Sequence, residues 1–374
     1  PGDAMKPPPP RFDLFVACPP GLERWLHEEI CALGWSAAKP LAGGVSFAGS
    51  WPDVYRANLL IRGASRILLR LGTFRARNLG ELEAACRALP LHHVIAEGTE
   101  VRASATCRSS RIYHSGAAEE RLMNAARVSG GVAGEGGITL VLRIEKNICT
   151  VSADTSGELL HKRGFKIDVA RAPMRETTAA LLLRACGYRG EEPVLDPMCG
   201  SGTIVLEAAQ IAAGLPPGRA RRFAFEAFAG FDEDAYGRIR DRALTQAARR
   251  TGAAFHGFDR AADAIRASAG NARRAGVEAL TVFSRAPLST IRPPDGPPGL
   301  VLTNPPYGAR LGRRDELAAL YRALGSVIQE RFAGWRVGFV TSDDALARAT
   351  GLRLGEPGPW FPHGGLRIRL WTAG

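Results

Sequence analysis

The 374-residue chain carries 49 Lys and Arg against 37 Asp and Glu, a formal net charge of +12, and is 45% apolar. That is enough apolar material for two or three packed domains, with no run long enough to cross a bilayer and no signal peptide. Seven cysteines without a Cys-x-x-Cys pair argue for reduced thiols in the cytoplasm, and seven histidines without zinc spacing predict no metal.

Residues 1–10 are rich in Pro and are predicted to be a disordered tail, the four before Met5 reading as an added leader. A strand follows at Phe12 to Ala17, then a helix with Leu22, Leu26, Ile30 and Leu33 at helical spacing, then a strand from Gly43. Further on, the pattern predicts a helix over 53–61, a strand over 66–71, a helix over 81–89 and a half-buried strand over 100–106. A helix over 117–128, a flexible glycine loop over 130–137 and a hairpin of 138–143 with 147–153 complete this part. On these patterns alone it is an α+β module.

The basic charge is uneven. Residues 1–160 hold 18 Lys and Arg against 16 Asp and Glu, and residues 161–374 hold 31 against 21. Within the first part, Arg56, Arg62, Arg66, Arg70, Arg75 and Arg77 fall in a stretch with no acid between Val54 and Gly80. It reads equally as a phosphate track or as solvated faces of a helix and a strand. Arg111, in the loop 109–114, is either an RNA contact or part of a helix N-terminal segment. The linker from His161 to Arg175 has five Lys and Arg against Asp168, and Lys162, Arg163 and Lys166 in it are candidate phosphate contacts.

Two stretches carry the chemistry. Pro193-Val194-Leu195 reads as a buried parallel strand that ends in Asp196. Gly200 and Gly202 permit a tight turn, and Thr203 opens an apolar helix, so this is a nucleotide-type site at the carboxyl edge of an α/β sheet. It lacks both the P-loop and the Gly-x-Gly-x-x-Gly spacing. A hundred residues later, a strand over 299–302 ends just before Asn304-Pro305-Pro306-Tyr307-Gly308. The prolines remove two N–H donors and leave carbonyls and the Asn304 amide oxygen as acceptors, which suits the two donors of an exocyclic amino group. Tyr307 offers a flat face for stacking.

These stretches resemble motif I and the Asn-Pro-Pro-Tyr motif of class I S-adenosylmethionine (SAM)-dependent amino methyltransferases. Leu160-His161-Lys162-Arg163-Gly164-Phe165-Lys166, Ala172-Pro173-Met174-Arg175-Glu176-Thr177 and Arg222-Phe223-Ala224-Phe225-Glu226 are similar to the THUMP-domain guanine-N2 RNA methyltransferases. That family includes an RlmL type acting on 23S ribosomal RNA and a related TrmN type acting on tRNA. The resemblance runs from about Phe12 to the C-terminus. It implies an N-terminal ferredoxin-like unit (11–50), a THUMP RNA-binding domain (51–157), a basic linker (158–174) and a Rossmann-like methyltransferase domain (175–374). That last domain would be a mostly parallel sheet with an antiparallel C-terminal strand.

By the same resemblance SAM is the cofactor. It would be held by Asp196, Pro197, Met198, Gly200, Gly202 and Thr203, by Thr177 in the first helix of the domain, by Asp259 on the ribose with its neighbour Arg260, and by Asn304. Asn304, Pro305, Pro306 and Tyr307 would hold the amino group to be methylated, with Tyr307 stacking on a base taken out of its helix. Asp259 lies 63 residues after Asp196, so the stretch from Gly214 to Arg250 must hold an insertion, as in the family. The chain departs from many class I enzymes in having no acid over 282–287, after the third strand, and the adenine contact is unassigned.

The substrate expected is RNA, 23S ribosomal RNA before tRNA, with adenine-N6 methylation of nucleic acid and a non-catalytic RNA-binding role as the other readings. The length predicts one catalytic domain without a fused second methyltransferase. A monomer is expected, with no obligatory protein partner and no membrane.

Overall fold

The structure is a computed structural model that describes residues 10–167, 173–247, 254–308 and 314–374. The expected tail up to Pro9, residues 168–172 of the linker and residues 248–250 of the insertion lie outside the described residues. The chain divides into two compact units. One holds the chain up to Ala17, Ile30–Leu160 and Arg221–Arg242, and the other holds Cys18–Glu29, His161–Ala220 and Ala243–Gly374.

The elements assigned to residues before 160 are β1 (Phe12–Ala17), α1 (Glu23–Ala32), β2 (Lys39–Leu41), β3 (Gly44–Gly49), α2 (Trp51–Leu60) and β4 (Arg66–Arg75). They continue with α3 (Leu79–Arg87), β5 (Glu100–Arg108), α4 (Ser115–Val128), β6 (Val132–Ala133), β7 (Ile138–Glu145) and β8 (Ile148–Asp154). All eight strands form one sheet in the order β2-β3-β1-β4-β8-β7-β5-β6. The regions expected as 11–50 and 51–157 therefore share a sheet, joined where β1 pairs antiparallel with β4. β4 runs four residues beyond the expected strand. Its pairing with β8 shifts at a bulge between Arg70 and Gly72, where a β-carbon would meet Leu89 at 2.5 Å.

The insertion supplies part of this first unit. Arg221 donates to the carbonyls of Leu159 at 2.9 Å and Glu158 at 2.7 Å. Phe225 is fully buried against Tyr55, their centroids 5.0 Å apart, and Phe231 and Tyr236 close around the same ring. The Tyr55 hydroxyl accepts from the Asp232 N–H at 2.9 Å. Burying a side chain such as Phe225 stabilises by about 1.5–3 kcal/mol. The aromatic run at 223–231 thus acts as an apolar plug, and the helix α7 (Glu233–Thr245) starts from it.

The second unit contains α5 (Glu176–Ala185), β9 (Val194–Asp196), α6 (Thr203–Ala212), β10 (Phe255–Asp259), α8 (Ala262–Ala275), β11 (Thr281–Arg285) and β12 (Leu300–Thr303). It ends with α9 (Arg314–Arg331), β13 (Arg336–Thr341), α10 (Asp344–Ala349), β14 (Phe361–His363) and β15 (Leu366–Ala373). The sheet order is β11-β10-β9-β12-β13-β15-β14, parallel from β11 to β13, with β15 antiparallel to β13. This is the Rossmann-like sheet expected, with its antiparallel final strand. The central strands are buried on both faces, as the unbroken apolar runs Val194-Leu195 and Leu300-Val301-Leu302 require. No helix among the described residues is long and apolar enough to cross a membrane.

Candidate active site

Strand order decides where the two motif stretches meet. From β9 the chain moves outward through β10 to β11, then returns to the other side of β9 as β12 and moves outward again to β13. The crevice between β9 and β12 is thus a topological switch point, the place where a parallel sheet opens to a ligand at its carboxyl edge. β9 ends in Asp196, and β12 ends in Thr303, which leads directly into Asn304.

The two ends touch. Thr303 Oγ1 donates to Asp196 Oδ1 at 2.7 Å, and the Met198 N–H donates to the same oxygen at 3.0 Å. Asp196 is 2% exposed. Burial pushes its carboxyl up to about 7, with Asp259 adding to the rise and the bonds from Thr303 and Met198 opposing it. None of these named partners is a cation. A positive group on a bound ligand would restore the charged carboxylate.

The glycine turn is pinned on several sides. Gly202 caps α6 at φ 82, and a β-carbon there would lie 3.0 Å from Ser268 Oγ and 3.1 Å from the Phe283 ring, so only glycine fits. Ser268 Oγ donates to the Gly200 carbonyl at 2.8 Å, and Asn271 Nδ2 donates to that of Ser201 at 3.2 Å. Asp259, at the end of β10, accepts from the Gly200 N–H at 3.1 Å and from the Ala261 N–H at 2.9 Å, one bond to each oxygen. A second lone pair on each oxygen is left for hydroxyl donors. Arg260 is exposed, and its carbonyl accepts from Arg285 Nε at 3.0 Å. Pro197 and Thr203 are buried in the turn, and Thr177 is buried in the first turn of α5, which packs on α6. Burial pushes the Cys199 thiol well above the usual thiol range, which disfavours a reactive thiolate there.

Across the crevice, Asn304 Oδ1 is buried and has no hydrogen-bond partner among the described residues. An unsatisfied buried acceptor costs about 1–3 kcal/mol, which makes it a candidate for a ligand's donor. Pro305 is buried, and Tyr307 is 7% exposed, its phenol pushed up by burial. These residues fit a nucleoside-type cofactor on one side of the switch point and an amino group on the other.

Two of the expected phosphate contacts are elsewhere. Arg163 is 2% exposed and pairs with the fully buried Glu207, Nε to Oε1 at 3.2 Å. Lys166 Nζ lies 3.2 Å from Glu176 and donates to Thr203 Oγ1 at 2.9 Å and to the Met174 carbonyl at 3.3 Å. Both side chains are engaged with buried carboxylates instead. Lys166 also ties the linker and the start of α5 to the start of α6, beside the glycine turn. Lys162 is exposed.

In the first unit, Arg62 and Arg66 are half-buried, and Arg66 is ion-paired with the buried Asp154. Arg75, Arg77 and Arg111 are exposed and share one end of the sheet. Arg75 pairs in register with Ile148, and the Arg111 N–H donates to Asn147 Oδ1 at 2.8 Å in the β7–β8 turn. The exposed Arg108 and Lys146 join them, since the Lys146 N–H donates to the Arg108 carbonyl at 3.2 Å. Tyr113, close by in sequence, is 84% exposed. Sequence reasoning missed Thr303 and Ser268, whose only signal was a hydroxyl next to each motif or on the following helix.

A glycine turn between two strand-terminal acids, set beside a proline-rigid turn at the switch point of a parallel sheet, defines the class of fold: a Rossmann-like domain. Residues 163–356 match the family described as the RMKL-like methyltransferase domain, and the chain belongs to that family. Residues 13–68 match the RlmL ferredoxin-like domain. The ribosomal RNA large subunit methyltransferase K/L of Syntrophotalea carbinolica is 38% identical over 96% of this chain and 53% of its own length. The chain spans about half the length of the curated relatives it matches.

Among solved structures, the protein SMU.472 complexed with SAH (S-adenosylhomocysteine) superposes with a TM-score of 0.90 at 26% identity, over 97% of this chain and 98% of the other. TrmN from Thermus thermophilus shares the fold, with a TM-score of 0.74 at 22% identity over 96% and 98% of the two chains.

Proposed function

We propose that the protein transfers the methyl group of SAM to the exocyclic N2 amino group of a guanosine in structured RNA, with 23S ribosomal RNA the substrate. The observation that carries this reading is the orphaned Asn304 Oδ1, set across the switch point from the buried, cation-free Asp196. The names of the relatives support the RNA class, and the SAH complex of SMU.472 supports the cofactor.

When bound, SAM supplies a methyl carbon on a positively charged sulfur, whose C–S bond breaks as the new N–C bond forms. Asp196 offers a carboxylate to the donor's cationic part, and Asp259 offers lone pairs to its ribose hydroxyls. Asn304 Oδ1 and the Pro305 carbonyl accept hydrogen bonds from the two N2 hydrogens, turning the nitrogen lone pair out of conjugation and towards the methyl, and the methylated nitrogen then releases one of those protons to solvent. Tyr307 stacks on the base. Catalysis of this kind is positioning and electrostatics, with no covalent nucleophile. Arg75, Arg77, Arg111 and Lys162 contact phosphates, while Arg62 and Arg66 contribute less because they are half-buried.

The test is transfer of labelled methyl from SAM into undermodified total RNA, with size separation and nucleoside mass spectrometry. N2-methylguanosine in the large ribosomal RNA is the expected product. The same product in tRNA would move the substrate, and N6-methyladenosine would replace the base assignment.

A further inference from the structure

A second cleft, of about 650 Å³, opens beyond β13 and is lined by Gly308, Arg314, Asp343, Asp344, Arg348 and Trp360, among others. Of the Asn-Pro-Pro-Tyr turn it shares only the glycine that follows Tyr307. Asn304 itself does not line it. We propose that this cleft seats the nucleotide next to the one that is methylated, taking its base on Trp360 and its phosphate on Arg314 and Arg348. The proposal rests on the RNA reading above.

The cleft has the chemistry of a nucleotide subsite. Arg369 sits over the Trp360 ring, 4.5 Å from its centroid, and over Trp371 at 4.9 Å. Arg369 is itself gripped by Asp344 through two hydrogen bonds, Nε to Oδ1 at 2.9 Å and Nη2 to Oδ2. A guanidinium held by both carboxylate oxygens is rigid, so the indole is fixed against it as a platform. The same pairing neutralises Asp344. Asp343 is partly committed too: Oδ1 accepts from the Ala345 N–H at 2.8 Å, and Oδ2 lies 4.0 Å from Arg314. Arg314 and Arg348 are exposed at the rim.

An anchored aromatic face with guanidinium groups beside it is how proteins hold a single-stranded base without reading its identity. The cleft also lies one residue from the turn that would receive an extruded guanine. Gly308 between them takes φ 78, and a β-carbon there would stand 3.1 Å from Leu366 of the hairpin that follows Trp360.

The experiment uses an unmodified 23S ribosomal RNA transcript. KM and kcat are measured for the unchanged protein and for Trp360→Ala, Trp360→Phe and Arg348→Ala, SAH affinity by calorimetry, and RNA adducts by ultraviolet crosslinking with peptide mass spectrometry. Trp360→Ala is expected to raise KM for RNA about tenfold, the scale of one lost base stack, with SAH affinity unchanged and substantial recovery in Trp360→Phe. A nucleotide adduct is expected on the Trp360 peptide, from a position beside the methylated guanosine.

If Trp360→Ala also loses SAH binding, Arg348→Ala and the crosslink decide. Unchanged KM in Arg348→Ala together with crosslinks that avoid the cleft would overturn the subsite while leaving methyl transfer intact. No transfer to RNA by the unchanged, SAH-binding protein would strike the parent reading instead.

Discussion

Two buried aspartates end strands in this protein, and they are treated in opposite ways. Asp154 closes β8 in the first unit and is 1% exposed; Asp196 closes β9 in the second and is 2% exposed. Asp154 is given a guanidinium, that of Arg66, along with N–H donors from Ser156 at 2.9 Å and Gly157 at 3.2 Å. Asp196 is given a hydroxyl and one N–H. Burial raises the pKa of both carboxyls, opposed by a full positive charge only at Asp154. The uncompensated carboxylate lies at the switch point, beside the only buried asparagine oxygen without a partner among the described residues. Asp154 is compensated within its own unit, whereas no cation is among the named partners of Asp196.

Breaking each side of this comparison gives different outcomes. The largest effect on folding is expected from Asp154→Asn, which strands the Arg66 charge. Denaturant melts are expected to show a loss near the low end of about 3–5 kcal/mol, since water still reaches part of Arg66. Asn304→Ala is expected to lower turnover by about 10²–10³-fold while SAH binding by calorimetry is retained. Turnover equal to that of the unchanged protein would remove Asn304 from the chemistry.

Asp196 predicts a pH dependence of definite sign. Its folded value, about 7, lies above the ordinary carboxyl value, so the folded ligand-free protein holds this proton more tightly than the unfolded chain. The resulting stability is full below about pH 4 and is lost as pH rises through about 7. SAM, a net cation through its sulfonium, prefers the carboxylate, so SAM should raise Tm more at pH 8 than at pH 6. Asp196→Asn should abolish that difference along with tight SAH binding. The smallest effect is expected from Arg75→Ala, Arg77→Ala and Arg111→Ala, each reducing the salt slope of RNA binding by about one while leaving SAH affinity alone. Unaltered slopes in all three would take the phosphates away from this end of the sheet.

Much of the second unit was legible in the chain. The strand that ends at Asp196, the glycines, the Asn-Pro-Pro-Tyr turn and the distant Asp259 carry local requirements — positive φ, missing N–H groups, unbroken apolar runs — that residue types announce. The fate of Arg163 and Lys166 was not legible. A basic run looks the same whether it faces phosphate or a buried glutamate, and Glu207 and Glu176 are supplied by helices elsewhere in the fold. The helix α7 and the short strand β14 also escaped notice, one because its apolar residues are few, the other because three residues carry no period.

The amino-acid sequence by itself determined the class of site: an acid at a strand end, a glycine turn and a proline-stiffened acceptor, each set by backbone chemistry within a few residues. Only the tertiary structure decided which charges are silenced and which are left open. That depends on strand order, which brings Thr303 to Asp196 across the switch point, and on burial, which makes a missing cation or an unmade hydrogen bond costly enough to mark a ligand's place.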